Sequence, residues 1–235
     1  ANPLVKLAVR ATIPPLRDWD RRTAMRPQHM VCNSETTRLR IREAWGREAE
    51  VIHPPTDTDQ FVPGDEDGDY FLAVCTLNPY KRVDVAVEAF NRLGLPLVVI
   101  GDGPELEHLR AQAGPNIEFA GKVPDEQMAN YYARSRAFVM PQEEDFGIAP
   151  LESQASGRPV IAYRSGGALE TVRDGETGLF FDAQEPGSLV EAVERFEAQH
   201  FSKDACREQA MRFSVDEFKR KLGDYVERKW NDHSS

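Results

Sequence analysis

From residue 70 onward the chain alternates short apolar runs with amphipathic stretches. The runs are Tyr70–Val74, Leu97–Ile100, Ile117–Ala120, Ala137–Met140, Pro159–Ala162 and Gly178–Phe181. They are continuous rather than alternating, and turn residues bound them, which is the pattern of strands buried on both faces. Helical spacing fills the gaps at 82–93, 104–113, 124–134, 148–156 and 168–173. Strand and helix in strict alternation predict right-handed βαβ units. The fold class is α/β, a Rossmann-like parallel sheet with helices on both faces. Helices end the chain, over 186–198, 203–211 and a third starting at the capping box Ser214-x-x-Glu217. The last places Phe218, Leu222, Tyr225 and Val226 on one stripe.

The first seventy residues are less regular. Helical spacing over 4–12 is expected to end at Pro14-Pro15, with a second short helix over 16–25. His29–Cys32 reads as a short strand. Asn33-Ser34 supplies N-cap chemistry for a helix over 35–46, and Gly46 closes it. Val51–His53 is extended, Pro54-Pro55 stiffens the chain after it, and 56–69 is a polar, acidic loop. The tail 231–235 is expected to fray.

Composition narrows the function. The 235 residues are 40% hydrophobic, enough for a sizeable core. A net charge of −10 argues against a nucleic-acid partner, whose phosphates need clustered Lys and Arg. Residues 1–26 nonetheless carry +4, a local asymmetry seen in membrane-surface segments and in solvated helix faces alike. Cys32, Cys75 and Cys206 show no disulfide or zinc spacing and read as reduced thiols. No apolar run is long enough to span a membrane.

Candidate chemistry gathers on the loops after the strands. Lys81-Arg82, at a helix start after the first regular strand, is a candidate anion site. Gly101-Asp102-Gly103-Pro104 comes after the next strand, and its glycines admit close backbone approach. Glu144 and Glu152 flank a strand-to-helix turn containing Phe146-Gly147-Ile148. Gly166-Gly167 with Glu170 lies one unit later, as an amide nest or as plain turn chemistry. Glu105-x-x-His108 has a metal-site spacing but lacks the second copy such sites need. Loops after parallel strands share one edge of the sheet. Cations for phosphate, amides for close approach and carboxylates for hydroxyls together suit a nucleotide-sugar.

Glu144-x7-Glu152, with Leu77-x-x-Tyr80-Lys81, Gly101-Asp102-Gly103-Pro104, Gly121-Lys122-Val123, Gly166-Gly167 and Asp174-Gly175-x-Thr177-Gly178 in order, resembles the retaining GT-B glycosyltransferases of family four. The resemblance spans about residues 28–230. Glu143–Ile148 with Tyr80–Asp84 is most similar to the mannosyltransferase-like branch that builds surface polysaccharides, lipopolysaccharide among them. It implies that Lys81 holds the donor diphosphate, with Arg82 beside it. Glu144 would stabilise an oxocarbenium-like transferred sugar and Glu152 would bind the ribose. The backbone of Phe146, Gly147 and Ile148 would touch sugar and phosphate, Gly101 and Gly103 would line the site, and Val123 would meet the base. The implied donor is a nucleotide-hexose such as GDP-mannose, and the acceptor a lipid-linked or polysaccharide chain. No metal or other cofactor is expected. The implied location is cytoplasmic, with peripheral attachment at the inner face of a membrane.

Two departures stand out. Thr76 occupies the position where the family places a second phosphate-gripping Arg, and no acceptor-side histidine has a counterpart here. The organisation expected from the resemblance is therefore that of a fragment. Residues 1–50 are the remnant of an acceptor domain, 51–69 a linker, 70–212 the donor-binding domain and 213–235 a crossing helix. Such a fragment would bind nucleotide and transfer little. The crossing helix would leave its apolar stripe exposed or paired with a second copy. A degenerate interaction module and a nucleotide-sugar epimerase on the same architecture are the alternatives.

Overall fold

A computed structural model describes residues 3–64 and 68–234. Residues 65–67, part of the predicted acidic loop, and Ser235 of the predicted frayed tail lie outside the described residues. The core is a six-stranded, fully parallel sheet of β3 (Tyr70–Val74), β4 (Leu97–Ile100), β5 (Ile117–Gly121), β6 (Ser135–Met140), β7 (Val160–Tyr163) and β8 (Gly178–Phe181). Its spatial order is β5-β4-β3-β6-β7-β8. The chain steps outward from β3 to β5, then crosses back to β6 on the other side of β3. That reversal opens a crevice at the carboxyl ends of β3 and β6, the switch point where open α/β sheets bind ligands.

Alternation along each strand feeds two cores. Phe71, Val99, Val139 and Ile161 face α3 (Val83–Leu93) and α8 (Pro186–Glu197), which contribute Phe90 and Val193. Leu72, Phe138, Met140 and Ala162 pack on the opposite side with Tyr132 of α5 (Asp125–Ala133), Ala155 of α6 (Ala149–Ala155) and Ala210 of α9 (Lys203–Met211). Two shorter helices complete the connections, α4 (Leu106–Gln112) after β4 and α7 (Ala168–Thr171) after β7.

The first fifty residues form α1 (Pro3–Ala24), β1 (Val31–Cys32), α2 (Glu35–Trp45) and β2 (Glu50–Val51). Ser34 caps α2 by accepting from the Thr37 amide at 3.0 Å, and Gly46 ends it in the left-handed region. The predicted break at Pro14-Pro15 does not occur, because α1 runs through both prolines. Proline releases carbonyls one turn earlier. Residues 5–22 are exposed throughout, so those carbonyls have access to water.

The last helix, α10 (Val215–Ser234), includes most of the tail expected to fray. Of its stripe, Tyr225 is buried, with its hydroxyl 3.4 Å from the Met30 carbonyl, and Arg228 pairs with Glu50 at 2.7 Å. The helix thus lies against the β1–β2 pair, while Val226 and Trp230 stay exposed. Among the described residues no helix is long and apolar enough to cross a membrane.

Candidate functional site

The switch point brings Lys81 and Glu144 together. Lys81 ends a 3-10 turn (Pro79–Lys81) after β3, and Glu144 lies on the loop after β6. The Lys81 ammonium meets Glu144 Oε1 and lies 5.1 Å from the centre of the Tyr80 ring. The same carboxylate oxygen accepts from the Gln142 amide at 3.2 Å. Gln142 is buried, and its own carbonyl has no protein partner. Arg82 is next to Lys81 in sequence but turns elsewhere. It adopts a left-handed backbone (φ 53°), and its guanidinium grips Asp84 at 3.1 Å and the Gln184 carbonyl at 3.3 Å.

A cleft of about 720 Å³ opens beside this pair, between the loops after β3, β4 and β5 and the start of α6. Thr76, Gly101, Val123, Met128, Ile148 and Glu152 line it. Val123, Met128 and Phe61 supply an apolar wall that suits a flat ring. Glu152, one turn into α6, accepts from the buried Tyr132 hydroxyl at 2.7 Å. Burial raises the Glu152 pKa above its ordinary value, the Tyr132 hydrogen bond opposes that, and Asp125 adds to it. The second oxygen of a hydrogen-bonded carboxylate remains an acceptor for ligand hydroxyls. Cys75 also lines the cleft, its thiol pushed up to about 11 by burial.

The glycine loops serve close packing. Gly101 has φ +140°, and a Cβ there would sit 1.8 Å from the Cys75 carbonyl oxygen. The loop after β4 is stitched to the loop after β3 by Leu77 N–H to the Asp102 carbonyl, 3.0 Å, and Glu105 N–H to the Leu77 carbonyl, 3.1 Å. Gly103 faces that same Leu77 carbonyl. Gly167 donates to the Glu144 carbonyl at 2.8 Å, and a Cβ on it would lie 2.2 Å from Phe146 Cα. Close turn packing, one of the two expectations for Gly166-Gly167, accounts for these contacts. Glu170 is likewise engaged. It accepts from the Glu35 amide at 3.0 and 3.1 Å and meets His53 Nε2 at 2.8 Å.

Phe146 anchors the Glu144 loop. It is buried, packs with Leu151 and Phe213, and stacks on His53 with ring centres 5.3 Å apart. Gly147, the next residue, is in the left-handed region, and Ile148 opens α6, lining both the large cleft and a second groove of about 480 Å³. Tyr80, Arg40 and Glu144 line that groove. Sequence reasoning had no access to Tyr132, Gln142, His53 or Arg40, each of which meets a site residue from a distant or unremarkable position. No group of three or more potential metal-ligating side chains occurs among the described residues.

Comparisons with known proteins bear on family and fold. The family described as glycosyl transferases group 1 matches residues 56–213. A GDP-mannose-dependent alpha-(1-6)-phosphatidylinositol monomannoside mannosyltransferase of Mycolicibacterium smegmatis is 33% identical over 192 residues, covering 68% of this chain and 50% of that protein. A D-inositol 3-phosphate glycosyltransferase of Acidothermus cellulolyticus is 33% identical over 201 residues, covering 71% of this chain and 45% of the relative. The chain therefore spans about half the length of the curated relatives it matches. Among solved structures, sucrose-phosphate synthase from Thermosynechococcus elongatus superposes with a TM-score of 0.79 at 20% identity, over 92% of this chain and 62% of that one. With the family match running over residues 56–213 and a parallel sheet of the GT-B kind, the chain belongs to the glycosyl transferases group 1 family.

Proposed function

We propose that the chain is the donor-binding part of a retaining hexosyltransferase that uses a nucleotide-hexose. The observation that carries this reading is the Lys81–Glu144 pair at the switch point, with Glu152 lining the adjoining cleft. The nucleoside occupies the cleft, with its base near Val123 and its ribose hydroxyls donating to Glu152. The diphosphate draws the Lys81 ammonium, and the backbone of Phe146, Gly147 and Ile148 flanks sugar and phosphate. When the bond from the sugar to the diphosphate breaks, positive charge develops on the sugar beside Glu144 and negative charge on the leaving group beside Lys81. A hydroxyl of the acceptor replaces the diphosphate on the same face and gives up its proton to it. Fixed charges aimed at developing charge are the main source of rate in such a site.

GDP-mannose is the donor favoured, because a relative 33% identical is named as GDP-mannose-dependent. A lipid-linked or polysaccharide acceptor is favoured because that relative is named for a phosphatidylinositol monomannoside. Diphosphate neutralisation is assigned to Lys81, and no role is assigned to a metal or cofactor. Residues 1–50 are read as part of an acceptor-side unit, 51–69 as its linker, 70–212 as the donor unit and 213–235 as the helix that ties the two. The matching location is the cytoplasm, at the inner face of a membrane.

Thr76 favours a second reading, a nucleotide-sugar-binding module without transferase activity, since it lines the cleft where the family's second phosphate cation is expected. A thermal-shift panel of GDP, UDP, ADP and their sugars tests the first reading. A shift with one diphosphate that disappears in Lys81→Ala supports the donor site. No shift with any nucleotide sinks it.

A further inference from the structure

We infer that Arg40, on α2, is a positioning residue that holds the Glu144 loop in the geometry in which Glu144 meets Lys81. The holding stands on geometry alone, and its consequence for nucleotide binding rests on the donor-site reading. Glu143, Glu144 and Asp145 are three consecutive carboxylates, and like charges this close repel. The middle one reaches Lys81. One guanidinium takes both of the outer ones, with Arg40 Nη2 3.0 Å from Glu143 Oε1 and Nη1 on Asp145 Oδ1. The fork closes on both flanks of Glu144, a shape that an ammonium cannot reproduce.

The opposite side of the same loop is held by the connection after β7. Ser165 Oγ donates to the second Glu143 oxygen at 2.8 Å, and the Gly167 amide donates to the Glu144 carbonyl at 2.8 Å. The helix that carries Arg40 is moored to this edge too, through the Glu35 amide on Glu170. Arg40 therefore acts as a strap from α2 across the carboxylate loop. Any shift of α2 relative to the sheet is transmitted to Glu144. Exposed ion pairs contribute little to global stability. The expected effect is consequently local.

Amide hydrogen exchange on the ligand-free chain tests the strap, with the Gly167 amide as reporter because its acceptor is the Glu144 carbonyl. Arg40→Ala should speed its exchange on the order of tenfold, with core strands unchanged. Arg40→Lys should recover part of the protection. The wild-type advantage should shrink near 1 M salt, where screening reaches about 3 Å, whereas a packing role would be insensitive to salt. A double Glu143→Gln, Asp145→Asn variant breaks the strap from the other end and should match Arg40→Ala. Unchanged Gly167 exchange in both variants overturns the inference. In a parallel titration with GDP, Arg40→Ala should weaken binding about threefold to tenfold. If the wild type binds no nucleotide, the donor-site reading fails while the exchange result still decides the strap. If the wild type binds and Arg40→Ala binds equally well, the strap's link to the donor site fails alone.

Discussion

Two loops on one edge of the sheet carry the same signals, a carboxylate and glycine at a strand-to-helix turn, and they end in opposite states. In the loop after β6, Glu144 keeps a side chain 26% exposed and meets Lys81, within reach of a ligand. In the loop after β7, Glu170 is 15% exposed and taken up by the Glu35 amide and His53, while Gly166 and Gly167 press against the first loop. On the proposed reading one loop presents chemistry, and the other is the wall it leans on. A carboxylate at a ligand edge therefore has meaning only once its partners are known. Partners that are all internal leave a support, and a partner that a ligand can displace leaves a site.

The sharpest way to break this comparison is to deform the wall. Gly167→Ala places a methyl 2.2 Å from Phe146 Cα, which no flexible side chain can relieve. It should destabilise the chain by at least about 3 kcal/mol in denaturant unfolding and abolish nucleotide binding. A variant that keeps wild-type stability would show that the two loops do not press on each other.

The two carboxylate partners can be separated next. Lys81→Ala should weaken nucleoside diphosphate binding by about 1.5–3 kcal/mol, measured by calorimetry, because a charge-assisted contact is lost. Glu170→Ala should leave that affinity nearly unchanged and lower unfolding free energy by about 1–3 kcal/mol, since the Glu35 amide and His53 lose their acceptor. Equal effects of both variants on binding would erase the distinction between site and wall.

Thr76→Arg sharpens the site side. Thr76 is exposed on the cleft, so a guanidinium there has room to reach the phosphates. Tightening of up to about 1.5–3 kcal/mol is expected, reduced by the ordering of a long side chain. Unchanged affinity would remove Thr76 as a reason for weak donor binding.

The smallest effect concerns Glu152 and pH. Its pKa is raised in the folded chain by burial, so the folded state holds the proton more tightly than the unfolded state does. Stability is then lost as pH rises from the unfolded pKa through the folded one. Glu152→Gln, which keeps an acceptor for Tyr132, should melt higher than wild type at about pH 7 and equally at about pH 3.5. It should also bind nucleotide less tightly at neutral pH. A melting difference that is the same at both pH values would contradict the assigned cause.

Much of the fold was legible in the residues. β3, β4, β8 and α9 begin and end where the apolar pattern places them, and the Ser34 and Gly46 caps close α2 as their chemistry requires. These features depend on neighbours within a few residues. The prolines of α1 mislead because a proline weakens a helix without forbidding it, and an exposed helix can hydrate the freed carbonyls. For the candidate site, glycines and charges marked loops that meet at the switch point but not their contacts. Lys81 and Arg82 look equivalent in sequence, yet the left-handed turn at Arg82 sends it to Asp84 while Lys81 reaches Glu144.

The sequence by itself determined the alternation of strands and helices, the edge on which chemistry gathers and the family motif. The reason is that hydrophobic period, caps and turn residues act locally. Only the tertiary structure decided the strand order that puts β3 beside β6, the burial that raises Glu152, and the long-range partners Tyr132, His53 and Arg40. Those depend on which surfaces meet across more than a hundred residues in the case of Arg40 and Asp145, and no local pattern encodes that meeting.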